Sequence, residues 1–155
     1  MIREILKYPD KRLNIKAEDA GIEDFDLYTD LRDTLQFRGG LGLAAPQIGV
    51  SQRVILYRNY AKKFIILVDP KIVSHKGITT SMDEGCLSLP GFRGDVKRAK
   101  VVKVEAYNEH GDKVKIKANG TEAIILQHEI DHLDGILFID KVKDSPAKHN
   151  YIGKL

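Results

Sequence analysis

The stretch from Gly120 to Asp134 constrains this chain more than any other. It contains His128-Glu129-Ile130-Asp131-His132, and Ile124, Ile125, Leu126, Ile130 and Leu133 surround that motif, so a helix here would be apolar nearly all round. Such a helix has to be buried, which requires other elements to enclose it. Burying two imidazoles and two carboxylates costs free energy unless they are paired or coordinated. Histidines four apart project from one helix face about one turn apart, within reach of a single cation. Glu129 is offset round the helix, better placed to act on a water beside that cation than to ligate it. Asn119 with Glu122 predicts a capping box at the helix start, and Gly135 a stop at its end.

The rest of the chain supplies the enclosing elements. Phe25 to Arg38 carries Leu27, Leu31 and Leu35 at a spacing of four, an amphipathic helix closed by Gly39-Gly40. Leu41 to Gly49 is too small and interrupted for a regular element and reads as a tightly packed loop or edge segment. Arg53 to Tyr57 and Phe64 to Val68 read as short strands. Lys100 to Tyr107 and Lys113 to Lys117 flank the turn-rich Asn108 to Asp112 and predict a hairpin. Lys113, Lys115 and Lys117 alternate with Val114 and Ile116, which reads as a solvated face and a buried one rather than a nucleic-acid surface. A helix, then strands, then a late helix is an α+β order, not alternating β-α units.

The 155 residues suffice for a single domain with a real core. We read 1–155 as that domain, with 143–155 as a short polar C-terminal tail. Apolar residues at 43% and charged residues at 30% argue against disorder. The formal charge of +3 is no nucleic-acid signature in itself. One cysteine, Cys86, excludes an intrachain disulfide and points to a reducing compartment. No apolar run reaches the roughly 20 residues needed to span a bilayer, and the opening residues carry no signal-peptide core. The expected location is cytoplasmic, with no membrane partner.

Two histidines leave a metal site incomplete. Cys86 is the candidate third ligand, in Glu84-Gly85-Cys86-Leu87-Ser88-Leu89-Pro90. Gly85 permits an unusual backbone there, so an extended segment could present a thiolate beside a free backbone N–H. His75, His110 and His149 are rivals, but each lies in a polar or loop-like context. A sulfur-and-two-imidazole set suits Zn²⁺ as well as Fe²⁺.

Three segments together resemble the motifs of the peptide deformylase family. They are Gly40-Leu41-Gly42-Leu43-Ala44-Ala45-Pro46-Gln47, Glu84-Gly85-Cys86-Leu87-Ser88 and Gln127-His128-Glu129-Ile130-Asp131-His132-Leu133-Asp134-Gly135. Their order and spacing fit the family. Ile5-Leu6-Lys7-Tyr8-Pro9-Asp10 and Leu137-Phe138-Ile139-Asp140 extend the likeness over nearly the whole chain. The resemblance implies an α+β fold with antiparallel β-sheets around the motif-bearing helix. It implies one divalent ion, Fe²⁺, held by Cys86, His128 and His132, with Zn²⁺, Ni²⁺ or Co²⁺ as substitutes. It also implies formyl-methionyl peptide N-termini as substrates, Glu129 as catalytic acid–base, and Gly42, Gln47 and Leu87 at the reacting end of the substrate.

The implied reaction is hydrolysis of the formyl amide. Glu129 takes a proton from the attacking water and later delivers one to the leaving amine. The Leu87 backbone N–H and the Gln47 amide meet the charge that develops on oxygen. Gly42 is expected to let its backbone approach the substrate. Leu41, Ile124 and Ile125 are candidates for lining a methionine pocket. Arg93 and Arg98 are expected either to pair with Glu84 or another carboxylate, or to bind peptide backbone. Thr121 and Glu122 stand where many relatives have two leucines, a departure at the pocket edge. The tail is shorter than in many bacterial relatives, so ribosome contact is left open. Two other readings compete. A zinc metallopeptidase would share the helix but leave Cys86 and Gln47 unexplained, and a catalytically dead binding module would not retain Glu129 and all three presumed ligands.

Overall fold

A computed structural model describes residues 1–21 and 23–142. Helix α1 (Phe25–Arg38) begins at Asp24, whose side chain accepts a hydrogen bond from the Leu27 N–H. It ends at Gly39 with φ 72°, the left-handed conformation glycine adopts at little cost. Five strands follow: β1 (Gly42–Ala44), β2 (Val54–Arg58), β3 (Phe64–Cys86), β4 (Leu89–Tyr107) and β5 (Lys113–Asn119). They form one antiparallel sheet in chain order. Helix α2 (Gly120–Leu133) comes last, followed by a 3₁₀ turn at Phe138–Lys141.

Period-2 alternation in the strands separates two cores. Leu43, Val54, Leu56, Ile66 and Val68 point to one face and pack with Leu27, Tyr28, Leu31 and Leu35 of α1. Ala44, Ile55, Tyr57, Leu67, Val102, Val104 and Ala106 point to the other and pack with Ala123, Leu126, Ile130 and Leu133 of α2. Each helix therefore covers its own side of the sheet, and α2 is the buried one, as its composition requires. A third cluster joins Leu89 and Val96 of the β3–β4 hairpin to Leu137, Phe138 and Ile139 beyond α2. It anchors the hairpin tip next to the exit of the motif helix.

Leu41 to Gly49 resolves into the edge strand β1 and a 3₁₀ turn at Ala45–Ile48, in keeping with its reading as a packed edge segment. The predicted strand at Phe64–Val68 is only the first part of β3, and Lys100–Tyr107 only the last part of β4. The missing lengths form a two-stranded ribbon broken by register shifts between Val68 and Lys71, Ile72 and Ser74, and Ser81 and Cys86. Each bulge resets the alternation, and much of the ribbon is exposed, so no period-2 pattern marks it.

The capping box at Asn119 does not form, because its side chain makes no capping bond. Glu122 instead accepts hydrogen bonds from Tyr57 Oη at 3.2 Å and the Tyr60 N–H at 3.4 Å, tying the start of α2 to the β2–β3 turn. Gly135 does stop the helix, at φ 73°. The Asn108–Asp112 turn closes as expected, with Asn108 Oδ1 accepting from the His110 and Asp112 N–H groups at 2.9 Å each.

Candidate metal centre and catalytic site

The β3–β4 hairpin turns through Leu87 and Ser88, since Cys86 pairs directly with Leu89. This tight reversal puts Cys86 at the end of β3, facing α2. Cys86 Sγ lies 3.3 Å from His132 Nε2. The sulfur and one nitrogen from each of His128 and His132 all lie within 4.8 Å of one another. Of the rival ligands, His75 and His110 are exposed and outside this cluster, and His149 falls outside the described residues.

The donor set fits a divalent cation on chemical grounds. His128 Nδ1 donates to Glu84 Oε1 at 2.6 Å, which turns its other nitrogen toward the cluster. The two histidines shift in opposite directions. Burial works to lower the pKa of His128, but hydrogen bonds with Cys86 and Glu84 outweigh it and raise the ring well above its ordinary value. Burial, then the positive charges of His128 and Arg98, pushes His132 well below its ordinary value.

Glu84 is itself held. Burial works to raise its pKa, yet hydrogen bonds with His128 and Arg98 bring it down to about 2. Arg98 Nη2 and Nε donate to Glu84 at 2.5 and 3.2 Å, and Nη1 donates to Asp131 Oδ2 at 2.6 Å. A single guidinium from β4 thus joins β3 to α2 behind the histidines. Arg98 is buried and pairs with Glu84 and Asp131, whereas Arg93 is exposed and donates to the Asp83 carbonyl at 3.1 Å while packing over Gly85.

Glu129 is 4% exposed, and its Oε1 has no hydrogen-bond partner among the described residues. Burial raises its pKa to about 7. Its carboxylate lies against Gly42 of β1, where an added Cβ would stand 2.5 Å from Oε2. Gly42 therefore leaves space for the Glu129 carboxylate.

Gln47 is fully buried at the 3₁₀ turn after β1. Its Oε1 accepts from the Ala44 N–H at 2.9 Å, and Nε2 donates to Ser88 Oγ at 3.1 Å and points at Cys86 Sγ 3.6 Å away. The N-terminal segment straps both neighbours, through Leu6 N–H to the Gln47 carbonyl at 2.7 Å and Tyr8 N–H to the Ser88 carbonyl at 2.9 Å. Ser88 was not among the sequence candidates, although a serine between two leucines of a buried turn is a signal for a side-chain hydrogen bond. The Leu87 N–H donates to no described residue. Of the pocket candidates, Ile124 lies on the helix row of His128 and His132 and is partly exposed. Ile125, on the row of Glu129, is 8% exposed and packs in the core, and Leu41 is 56% exposed beside Gly42.

The family model for polypeptide deformylase matches residues 2–148. A peptide deformylase from Desulforudis audaxviator is 45% identical over 143 residues, covering 89% of this chain and 92% of the relative. A crystal structure of a peptide deformylase from Legionella pneumophila superposes with a TM-score of 0.90 at 41% identity, covering 99% of this chain and 93% of that one. A class I type b peptide deformylase from Acinetobacter baumannii with Met-Ala-Ser bound superposes with a TM-score of 0.85 at 31% identity, covering 92% and 99% respectively. With three donors converging beside a buried glutamate, and with likeness of this extent in sequence and structure, the chain belongs to the polypeptide deformylase family.

Proposed function

We propose that this site removes the formyl group from the N-terminal methionine of newly synthesised polypeptides and releases formate. The observation that carries the reading is the convergence of Cys86, His128 and His132 within 4.8 Å beside the buried carboxyl of Glu129. Cys86, His128 and His132 hold the ion, which we take to be Fe²⁺ from the family resemblance. When bound, it supplies Lewis acidity at the reacting carbonyl.

The chain's own groups do the rest. Glu129, buried beside the three donors with its Oε1 unpartnered among the described residues, is placed to accept a proton from the attacking water and return it to the leaving amine. Gln47 Nε2 and the Leu87 N–H are donors for the oxygen on which charge develops, and losing one should cost on the order of 3 kcal/mol in the barrier. The strap through Leu6 and Tyr8 supports that role by fixing Gln47 and the hairpin tip before substrate arrives. Ile124, Ile125 and Leu41 are the proposed methionine contacts, with Gly42 keeping Glu129 in reach and Arg93 at the rim. The Met-Ala-Ser peptide bound by the Acinetobacter baumannii relative supports a methionine-accepting pocket.

Among the described residues no helix is long and apolar enough to cross a membrane. The cytoplasm is the proposed location, supported by a thiolate ligand that needs reducing conditions. The short tail at 143–155, where ribosome contact was left open, lies outside the described residues.

The test is anaerobic purification, metal analysis and incubation of one sample with formyl-Met-Ala and with an unblocked peptide. Formate release with about one metal per chain and no peptide cleavage is expected. Cleavage of the unblocked peptide without formate would replace this reading with a metallopeptidase.

A further inference from the structure

The segment Leu137-Phe138-Ile139-Asp140 has no part in the chemistry assigned above, yet the fold takes trouble to place it. The chain reaches it by turning back at the end of α2. Gly135 makes the reversal at φ 73°, and an added Cβ there would stand 2.6 Å from the Asn14 carbonyl oxygen. Asn14 Nδ2 also donates to the Gly135 carbonyl at 3.2 Å. Beyond this lock comes the 3₁₀ turn at Phe138–Lys141. Asp140, itself exposed, accepts from the Leu137 N–H at 3.0 Å and fixes the entry to that turn. Leu137, Phe138 and Ile139 are thereby held in the interior.

Phe138 differs from its companions in the third cluster. The other buried members, Leu13, Leu89, Val96, Leu137, Ile139 and Val142, are all aliphatic. Cys86 packs against the same cluster from the hairpin side. The Phe138 ring stacks on the ring of His128, with centroids 6.1 Å apart and 25° between the planes. His132 meets His128 edge-on, at 5.0 Å and 67°. A phenyl ring thus lies nearly parallel to one presumed ligand, and the other presumed ligand stands across it.

A histidine ring turns about χ2, a broad torsion without sharp staggered wells. The hydrogen bond from Nδ1 to Glu84 holds one atom of the His128 ring, and a single contact leaves the plane free to tilt. Tilting moves Nε2, the nitrogen turned toward Cys86 and His132. An aliphatic side chain of similar bulk would fill the volume without defining a plane. A stacked phenyl ring opposes the tilt, because the two flat faces lose contact when one rotates.

We propose that Phe138 is a positioning residue for the metal centre, its stacked ring setting the plane of His128 so that Nε2 is aimed before an ion binds. The role rests on the reading of Cys86, His128 and His132 as the ligand set. Glu84 and Phe138 then divide the work: Glu84 fixes which nitrogen faces the ion, and Phe138 fixes the angle at which it does so.

Co²⁺ is the probe, because its visible absorption reports the geometry of a sulfur-and-imidazole set independently of turnover. The chelator-treated full chain is titrated anaerobically as wild type, Phe138→Leu and Leu13→Ala. Leu13 belongs to the same cluster but stands on the N-terminal 3₁₀ turn at Lys11–Asn14. Phe138→Leu should weaken Co²⁺ binding about 10-fold, the low end for losing a group that orients a ligand, and should shift the visible bands. Leu13→Ala should lower the melting temperature through the cavity it leaves, yet keep wild-type affinity and bands. If Phe138→Leu yields no folded protein, Asp140→Ala decides. Loosening the turn from the surface should also weaken binding and shift the bands, and wild-type values in that variant would overturn the proposal. Wild-type affinity and bands in Phe138→Leu, or equal changes in Leu13→Ala and Phe138→Leu, would overturn it as well. Failure of the wild type to bind Co²⁺ would overturn the ligand set itself, which keeps the two failures distinct.

Discussion

A methyl group at position 42 would stand 2.5 Å from Glu129 Oε2 and 2.8 Å from its Cδ, so Gly42→Ala has to push the carboxylate aside. Displacing a catalytic group by about 1 Å can cost on the order of 10²-fold in rate. Formate-release kinetics of Gly42→Ala should therefore show kcat falling by about that factor, and an unchanged kcat would dissociate Gly42 from Glu129. Glu129 itself is held at a cost. Its pKa lies near 7 in the fold against 4.5 when exposed. Between those values the folded protein retains a proton that the unfolded chain has lost, so stability declines as pH rises and levels off above about 7. The decline is about 3 kcal/mol for the metal-free protein. Urea unfolding of metal-free Glu129→Gln should show no such decline and leave the variant the more stable of the two at pH 8, but not at pH 5. Glu129 and both histidines were legible in the sequence because the helix period alone aligns them. The use of Gly42 was not, because only the folded packing brings β1 against α2.

Among the elements, the β3–β4 hairpin was the hardest to read and is the one that completes the site. Its early part shows a plain strand pattern, then bulges, Pro70 and exposed polar residues erase the alternation just where the chain runs toward Cys86. What holds this ribbon to α2 is Arg98, whose side chain is 1% exposed between Glu84 and Asp131. Substituting one member of a buried pair typically costs about 3–5 kcal/mol, because the remaining charges stay buried. Arg98→Met should lower stability by that order. It should also weaken metal affinity by about 10- to 100-fold, since Glu84 would no longer be fixed against His128. The acid limb shifts with it. Glu84, held at about 2, stabilises the fold above its unfolded value of 4.5, and that contribution is lost as pH falls toward 2. Without Arg98 the folded value rises and acid unfolding moves to higher pH, measurable by circular dichroism. An unchanged acid midpoint together with wild-type metal affinity would make Arg98 merely a packing residue.

Across the whole molecule, the ligands come from two regions 42 to 46 residues apart in sequence, Cys86 at one end of a hairpin and His128 and His132 on a helix on one face of the sheet. No local element can bring them together; the third core, joining Leu89 and Val96 to Leu137 and Phe138, does so. A cation that binds this assembled set and not the unfolded chain stabilises the fold by mass action, about 2.7 kcal/mol at a hundred times its dissociation constant. In a domain of this size that amounts to roughly 5–10 °C in melting temperature. Thermal unfolding of chelator-treated protein with and without added Zn²⁺ should show that rise in the wild type. Cys86→Ala should lose most of it, because two imidazoles on one helix remain but the tie to β3 is gone. The variant's own metal-free melting temperature separates this from general damage to the core. If Cys86→Ala gains as many degrees from the ion as the wild type does, the sulfur is not a ligand, and the link between hairpin and helix rests on Arg98 and the apolar cluster alone.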